Sequence, residues 1–249
     1  MSEPTLFPRD EQTIGYFDRY TPVYMERFYD DVVELINKFG SGRDSVIDIG
    51  CGTGNILNYL KNVTKLKTFC GMDVSGNCLD LMRKKYGFTA MQASILDDLY
   101  IDDVTYKYDF VLMGAILHHL IGSNRKVSRS LASQAVRNGL KLLKDDGYLI
   151  VVERMFYPAL IHDVAFHVKR FVTRFIPGRF HILGHHISNI GAPVVSYYSS
   201  DQLRQILEDE NRCSIVEVKV LDMRIKTWMK LLGLRKTEAR TFVARKREV

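Results

Sequence analysis

Apolar positions first recur at threes and fours. Phe17, Tyr20, Tyr24, Phe28, Val32, Leu35 and Phe39 lie on one face of helical structure over 13–39, with Pro22 as a break or a second start. From residue 45 the pattern changes to short apolar runs separated by amphipathic ones. Val46–Ile49 reads as a strand entering a glycine cluster, and a short helix through Ile56, Leu57 and Leu60 follows. Lys67–Met72 reads as a second strand ending at Asp73, and Ser75 can cap a helix that stops at Gly87. Ala90–Ser94 is a weaker strand. Asp109–Met113 is continuously apolar after its first residue, as expected of a strand covered on both faces. A helix over 126–144, a turn at Asp145-Asp146-Gly147 and a strand at Tyr148–Val152 complete the alternation.

Five strands with intervening helices predict an α/β fold with a doubly wound, largely parallel sheet. Residues 155–198 break the alternation and read as a helical lid inserted after the fifth strand. A helix over 201–209 and strands at Ile215–Leu221 and Arg240–Ala244 bring the sheet to seven strands. The expectation is one domain over 1–249. It divides into an N-terminal helical cap at 13–40, a core at 45–154, the lid at 155–198, and a C-terminal helix and strands at 199–249.

At 249 residues and 46% hydrophobic, the chain can bury a sizeable core. Four cysteines without CxxC spacing do not make a disulfide framework, and Met1–Thr5 offers no apolar h-region. A cytoplasmic, reducing setting is expected. The net charge of +6 is uneven: residues 1–124 carry 12 Lys and Arg against 17 Asp and Glu, and residues 125–249 carry 23 against 12. The basic excess gathers at 224–247 and in the lid, away from the glycine cluster. That distribution argues against general nucleic-acid binding and leaves an acidic acceptor or a membrane surface open.

In a parallel sheet, ligands bind beyond the carboxyl ends of the strands, so the loop after the first strand is the first candidate site. It reads Asp48-Ile49-Gly50-Cys51-Gly52-Thr53-Gly54. A dinucleotide fingerprint starting at Gly50 requires glycine where Asn55 stands, and a P-loop requires a lysine that is absent. Asp73 closes the second strand, where a carboxylate can accept both ribose hydroxyls. An adenosine ligand without a pyrophosphate suits this arrangement.

With these motifs the chain resembles the class I S-adenosylmethionine-dependent methyltransferases, most closely their small-molecule (quinone and natural-product) branch. The resemblance covers roughly 14–154. It is carried by Val46–Gly54, by Gly71-Met72-Asp73-Val74-Ser75, by Tyr108–Leu112 with Leu117-His118-His119-Leu120, and by Leu142–Leu149, in the family's order. It implies a Rossmann-like sheet and S-adenosyl-L-methionine as cofactor. It also implies backbone contacts to that cofactor from Gly50, Cys51 and Gly52, a ribose contact from Asp73 and an adenine contact from Val74. Asp48 suits the cofactor's cationic end. Ser94 and Ile95 close the third strand; Ser94 stands where the family usually has an acidic residue and offers a weaker, uncharged acceptor. Met113 would flank the methionyl part. Tyr16-Phe17-Asp18-Arg19-Tyr20 resembles the branch's opening helix, with Tyr20 against the cofactor or acceptor, or packed in the core.

Methyl transfer asks the protein chiefly for positioning and, for a protonated acceptor, a general base. His118 and His119, just beyond the fourth strand, are the candidates; helix packing is their alternative role. His162, His167, His181, His185 and His186 crowd into the lid at spacings that suit a metal, acceptor-binding groups or chance composition, and no metal is expected. Val164, Val168, Phe171, Val172 and Phe175 form an apolar helical face beside Lys169, Arg170 and Arg174. Such a helix covers a pocket, faces the core or lies on a membrane.

The expected activity is methyl transfer to an O, N or C atom of a small, hydrophobic or aromatic acceptor, by a monomer or homodimer without a stable nucleic-acid partner. The alternatives are a non-methylating member of the fold (a cyclase or regulatory binding module) and an RNA methyltransferase. The latter lacks the N-P-P-Y type sequence after the fourth strand, where Gly114-Ala115-Ile116-Leu117 stands.

Overall fold

The computed structural model describes residues 29–158, 162, 164, 166–168, 194–209, 212–225, 230 and 233–247. The expected cap residues before Tyr29, Tyr20 among them, lie outside these, as do His181, His185, His186 and the basic stretch 169–175.

In chain order the elements are α1 (Asp30–Phe39), β1 (Ser45–Ile49), α2 (Asn55–Val63), β2 (Thr68–Asp73), α3 (Gly76–Tyr86), β3 (Thr89–Gln92) and α4 (Asp98–Asp102). They continue with β4 (Tyr108–Gly114), a 3-10 turn at Leu117–His119, α5 (Arg125–Lys141), β5 (Leu143–Tyr157), α6 (Ser200–Glu208), β6 (Cys213–Met223) and β7 (Lys236–Lys246). The seven strands lie in the order β3-β2-β1-β4-β5-β7-β6. β1 to β5 are parallel, and β7 is antiparallel to both β5 and β6. The strand order reverses between β1 and β4, and that switch point opens a crevice at the carboxyl ends.

Local chemistry explains where the helices begin. The Ser75 hydroxyl accepts from Cys78 N–H at the start of α3, Asn124 accepts from Val127 N–H at α5, and Ser199 forms a capping box with Gln202 at α6. α3 ends at Gly87 in the left-handed conformation, as its sequence predicts. β1 is buried at all five positions because helices cover both faces of the sheet. One apolar layer packs Ile47, Met113, Val151 and Phe242 under α5 and α6; the other packs Val46, Leu112, Ile150 and Val243 under α1, α2 and α3.

Two boundaries differ from expectation. The turn at Asp145–Gly147 is an irregularity inside β5: Tyr108 is opposite Leu143, Phe110 is opposite Tyr148, and the intervening residues bulge outward. β5 also runs on to Tyr157, so the first three residues of the expected lid are strand. The paired apolar run Leu149–Val152 obscured this, because Glu153 and Arg154 interrupt the hydrophobic pattern without interrupting the hydrogen-bond ladder to β7. α4 was not anticipated; its five residues carry only one fully buried apolar side chain, Ile101. Within the expected lid, the described residues Phe166 and His162 are buried and Val164 and Val168 are exposed, the reverse of a core-facing valine stripe.

Candidate active site

The glycine loop leaves β1 with three residues in the left-handed region, Gly50, Gly52 and Gly54, at φ of 73°, 51° and 76°. Each has a different reason to be glycine. A Cβ on Gly54 would stand 2.4 Å from Met82 Cγ, so α2 can start there only without a side chain. A Cβ on Gly50 would stand 2.7 Å from Ile116 Cδ1, which shows how closely the β4 loop crosses the glycine loop. Above Gly52 nothing lies within 4 Å. That space is a cradle of backbone rather than a packed turn.

Hydrogen bonds hold the loop to β2. Gly50 and Cys51 N–H both donate to the Met72 carbonyl, at 2.7 and 3.2 Å. Gly52 N–H donates to Asp73 Oδ2 at 2.8 Å, and Ser75 N–H donates to Asp73 Oδ1 at 2.9 Å. These bonds fix the Asp73 carboxylate beside the cradle. Beneath it, Asp48 is 1% exposed and its Oδ2 has no hydrogen-bond partner. Burial, and then the neighbouring Asp73 charge, hold its carboxyl well above the usual carboxylate range. A buried carboxylate oxygen without a donor is a costly feature in an empty fold and a fitting one for a cationic ligand.

The other expected cofactor residues fall into two groups. Val74 is half-buried beside the cradle, and Cys51 is buried under it, its thiol pushed up by burial. Ser94 is buried, its hydroxyl accepting from Leu96 N–H at 3.2 Å in the turn after β3. The side chains of Ile95 and Met113 instead belong to the core layer under α5, with Met113 reaching Gly139. That alternation follows from the strand itself: Met113 and Val111 face α5, and only the backbone at the end of β4 remains open to the crevice.

The loop after β4 passes through Ala115, the non-glycine residue with positive φ (57°) among the described residues, and into the 3-10 turn. Here Glu153 of β5 accepts Leu117 N–H on Oε1 at 2.7 Å and meets His118 Nδ1 with Oε2 at 2.6 Å. A carboxylate in this position accepts from Nδ1–H, which leaves Nε2 as the ring's acceptor atom. His119 packs against His118 with ring centroids 4.2 Å apart. Tyr197 stacks on His118 at 4.9 Å and meets the edge of Phe156 at 4.7 Å. Ser196 N–H donates to the His118 carbonyl, and Arg125 holds Ser196 Oγ and the Tyr197 carbonyl at 2.8 and 2.6 Å. The Tyr197 hydroxyl is pushed up to about 12, by burial first and then by the Glu153 charge, with Arg154 opposing.

Sequence reasoning named His118 and His119 but not Glu153, Arg154 or Tyr197. The signal for the first two was present: a charged pair directly following the apolar run of a parallel strand stands at its carboxyl end. Tyr197 has no local signal, since it is distant in sequence from His118, on which it stacks. His162 lies 6.3 Å from the Tyr197 ring, at the margin of the same cluster. Among the described residues no group of three His, Cys, Asp or Glu is gathered as metal ligands.

Residues 47–149 match the family described as "Methyltransferase domain". A methyltransferase-named protein of Invertebrate iridescent virus 6 is 28% identical over 98 residues, covering 39% of this chain and 35% of that one. A methyltransferase-named protein of Oceanobacillus iheyensis is 23% identical over 148 residues, covering 59% and 62%. The chain thus spans about a third and somewhat under two thirds of these relatives. Among solved structures, magnesium protoporphyrin IX methyltransferase from Synechocystis PCC 6803 with bound SAM superposes with TM-score 0.54 at 17% identity, over 99% of this chain and 87% of that one. An N-methyltransferase, NodS, from Bradyrhizobium japonicum WM9 in complex with S-adenosyl-L-homocysteine superposes with TM-score 0.58 at 12% identity, over 96% and 100%.

Proposed function

We propose that this chain, whose residues 47–149 match a methyltransferase-domain family and whose fold is that of class I methyltransferases, transfers a methyl group from S-adenosyl-L-methionine to an O, N or C atom of a small acceptor with an apolar or aromatic body. The observation that carries this reading is the crossing of two loops at the switch point. One presents an open backbone cradle over a buried, unmatched carboxylate, and the other presents a histidine held by a carboxylate.

The cofactor supplies a methyl group already activated as a sulfonium. The chain's part is to bind, orient and exclude water. Asp48 matches positive charge at the base of the cradle, Asp73 receives the ribose hydroxyls, and Gly52 lets the ligand approach the backbone. Val74 and Ser94 border the adenine side, and Cys51 supports the loop from beneath. His118 Nε2 takes the proton released by an oxygen or nitrogen acceptor as the new bond forms, with Glu153 holding its ring and tautomer. Tyr197 and Phe156 give the acceptor an aromatic wall. His119 borders His118 and positions its ring.

Calorimetric titration with S-adenosyl-L-homocysteine tests the reading. Saturable binding is expected, weakened at least tenfold by Asp73→Ala. Absence of binding, or binding indifferent to that substitution, overturns it.

A further inference from the structure

β4 ends opposite Val152, but the β5–β7 ladder continues from Glu153–Arg240 to Tyr157–Lys236. Five residues of β5 therefore rise above the sheet end as a wall beside the candidate acceptor site. Strand alternation sends Glu153 to the face that carries Leu117 and His118, and Arg154 to the other face with Phe156. The Arg154 guanidinium lies over the Phe156 ring, 5.5 Å from its centroid. Its Nε is buried without a hydrogen-bond partner.

The other charged groups of this wall are matched. Glu153 is used by Leu117 and His118. Glu238, across the ladder, receives Lys236, Arg240 and the Tyr157 hydroxyl. Arg240 also reaches Ser200, and Arg125 is spent on Ser196 and Tyr197. Arg154 alone among these cations has no ion pair or hydrogen bond among the described residues. On an arginine whose Nε is unpartnered, Nε–H with an adjacent Nη–H offers the side-on fork that receives both oxygens of a carboxylate.

We infer that Arg154 is the anion anchor of the acceptor site, and that the acceptor is an aromatic carboxylic acid. The carboxylate sits on the Arg154 fork, the ring lies against Phe156 and Tyr197, and the nucleophilic group is directed toward His118. The inference rests on the methyl-transfer reading above and adds the substrate's charge to it. A neutral acceptor would leave a buried N–H unmatched in the complex, and a cationic one would meet like charge.

The test uses the full chain saturated with S-adenosyl-L-homocysteine. The probes are 4-hydroxybenzoate, 4-hydroxyphenylacetate and 4-hydroxycinnamate, each beside its methyl ester, with dissociation constants read by ligand-observed NMR. At least one acid is expected to bind ten times more tightly than its ester. Arg154→Gln should erase that difference, and Arg154→Lys should restore part of it through charge without the planar fork. S-adenosyl-L-homocysteine affinity and melting temperature should stay at wild-type values in both variants. Equal binding of acids and esters overturns the inference, as does failure of every acid to bind. A fall in S-adenosyl-L-homocysteine affinity in both variants would assign Arg154 to the cofactor's own carboxylate and also overturns it. Absence of S-adenosyl-L-homocysteine binding in the wild-type chain is a separate result, which removes the methyl-transfer reading itself.

Discussion

Asp48→Asn should make the ligand-free protein more stable and its cofactor site worse. The wild-type carboxyl is fully buried, with one oxygen unmatched and Asp73 nearby, so its folded value lies above its unfolded one. Folding stability therefore falls as pH rises from the unfolded carboxyl value through the raised folded value, and the asparagine variant lacks that component. The cost at pH 7 is at most about 4 kcal/mol, that of keeping a free carboxyl protonated there. Taking about 2 kcal/mol, the substitution raises the ligand-free melting temperature by about 4–8 °C for a domain of this size. Scanning calorimetry from pH 4 to 8 should show the gain growing with pH and vanishing near pH 4. The amide cannot match a ligand's ammonium, so S-adenosyl-L-homocysteine affinity should fall roughly 10–100-fold. Wild-type affinity should in turn rise with pH across the interval in which Asp48 ionises. A lower melting temperature with unchanged affinity would refute the reasoning, because Asp48 would then be an ordinary structural carboxyl.

Glu153→Gln presents an amide N–H to His118 Nδ1 once its oxygen has taken Leu117 N–H, so the ring proton moves to Nε2. Turnover of an oxygen or nitrogen acceptor should drop roughly 10²–10⁴-fold with S-adenosyl-L-homocysteine affinity within twofold; a kcat within threefold of wild type would remove His118 as the base. Two glycine substitutions should separate folding from binding. Gly54→Ala drives Cβ against Met82 at positive φ and should cost about 2–5 kcal/mol, read as a lower melting temperature. Gly52→Ala meets open space, should cost only about 1 kcal/mol, and should weaken S-adenosyl-L-homocysteine at least tenfold by filling the cradle. The reverse ranking in either assay would show that the cradle is misplaced.

The strand-and-helix alternation, the caps at Ser75 and the stop at Gly87, and the glycine loop were all legible in the chain, because each depends on neighbours a few residues apart. Hydrogen-bond geometry within a helical turn or a strand's alternation carries its own signature. The extension of β5 past Val152 was not legible, since a ladder to β7 some eighty residues away holds residues whose own pattern is polar. The same limit applies to Met113, whose side chain strand parity turns into the core, and to Ile95, which the turn after β3 carries into the same layer. Local sequence thus determined the family of site, a cradle at the end of β1 with Asp73 beside it. Only the tertiary structure decided which charges are matched. Glu153 meets His118, Tyr197 stacks on the same ring from some eighty residues further along the chain, and Arg154 Nε is left buried without a partner. Pairing of charges is a property of distance in space, and distance in space is what the chain's linear order does not carry.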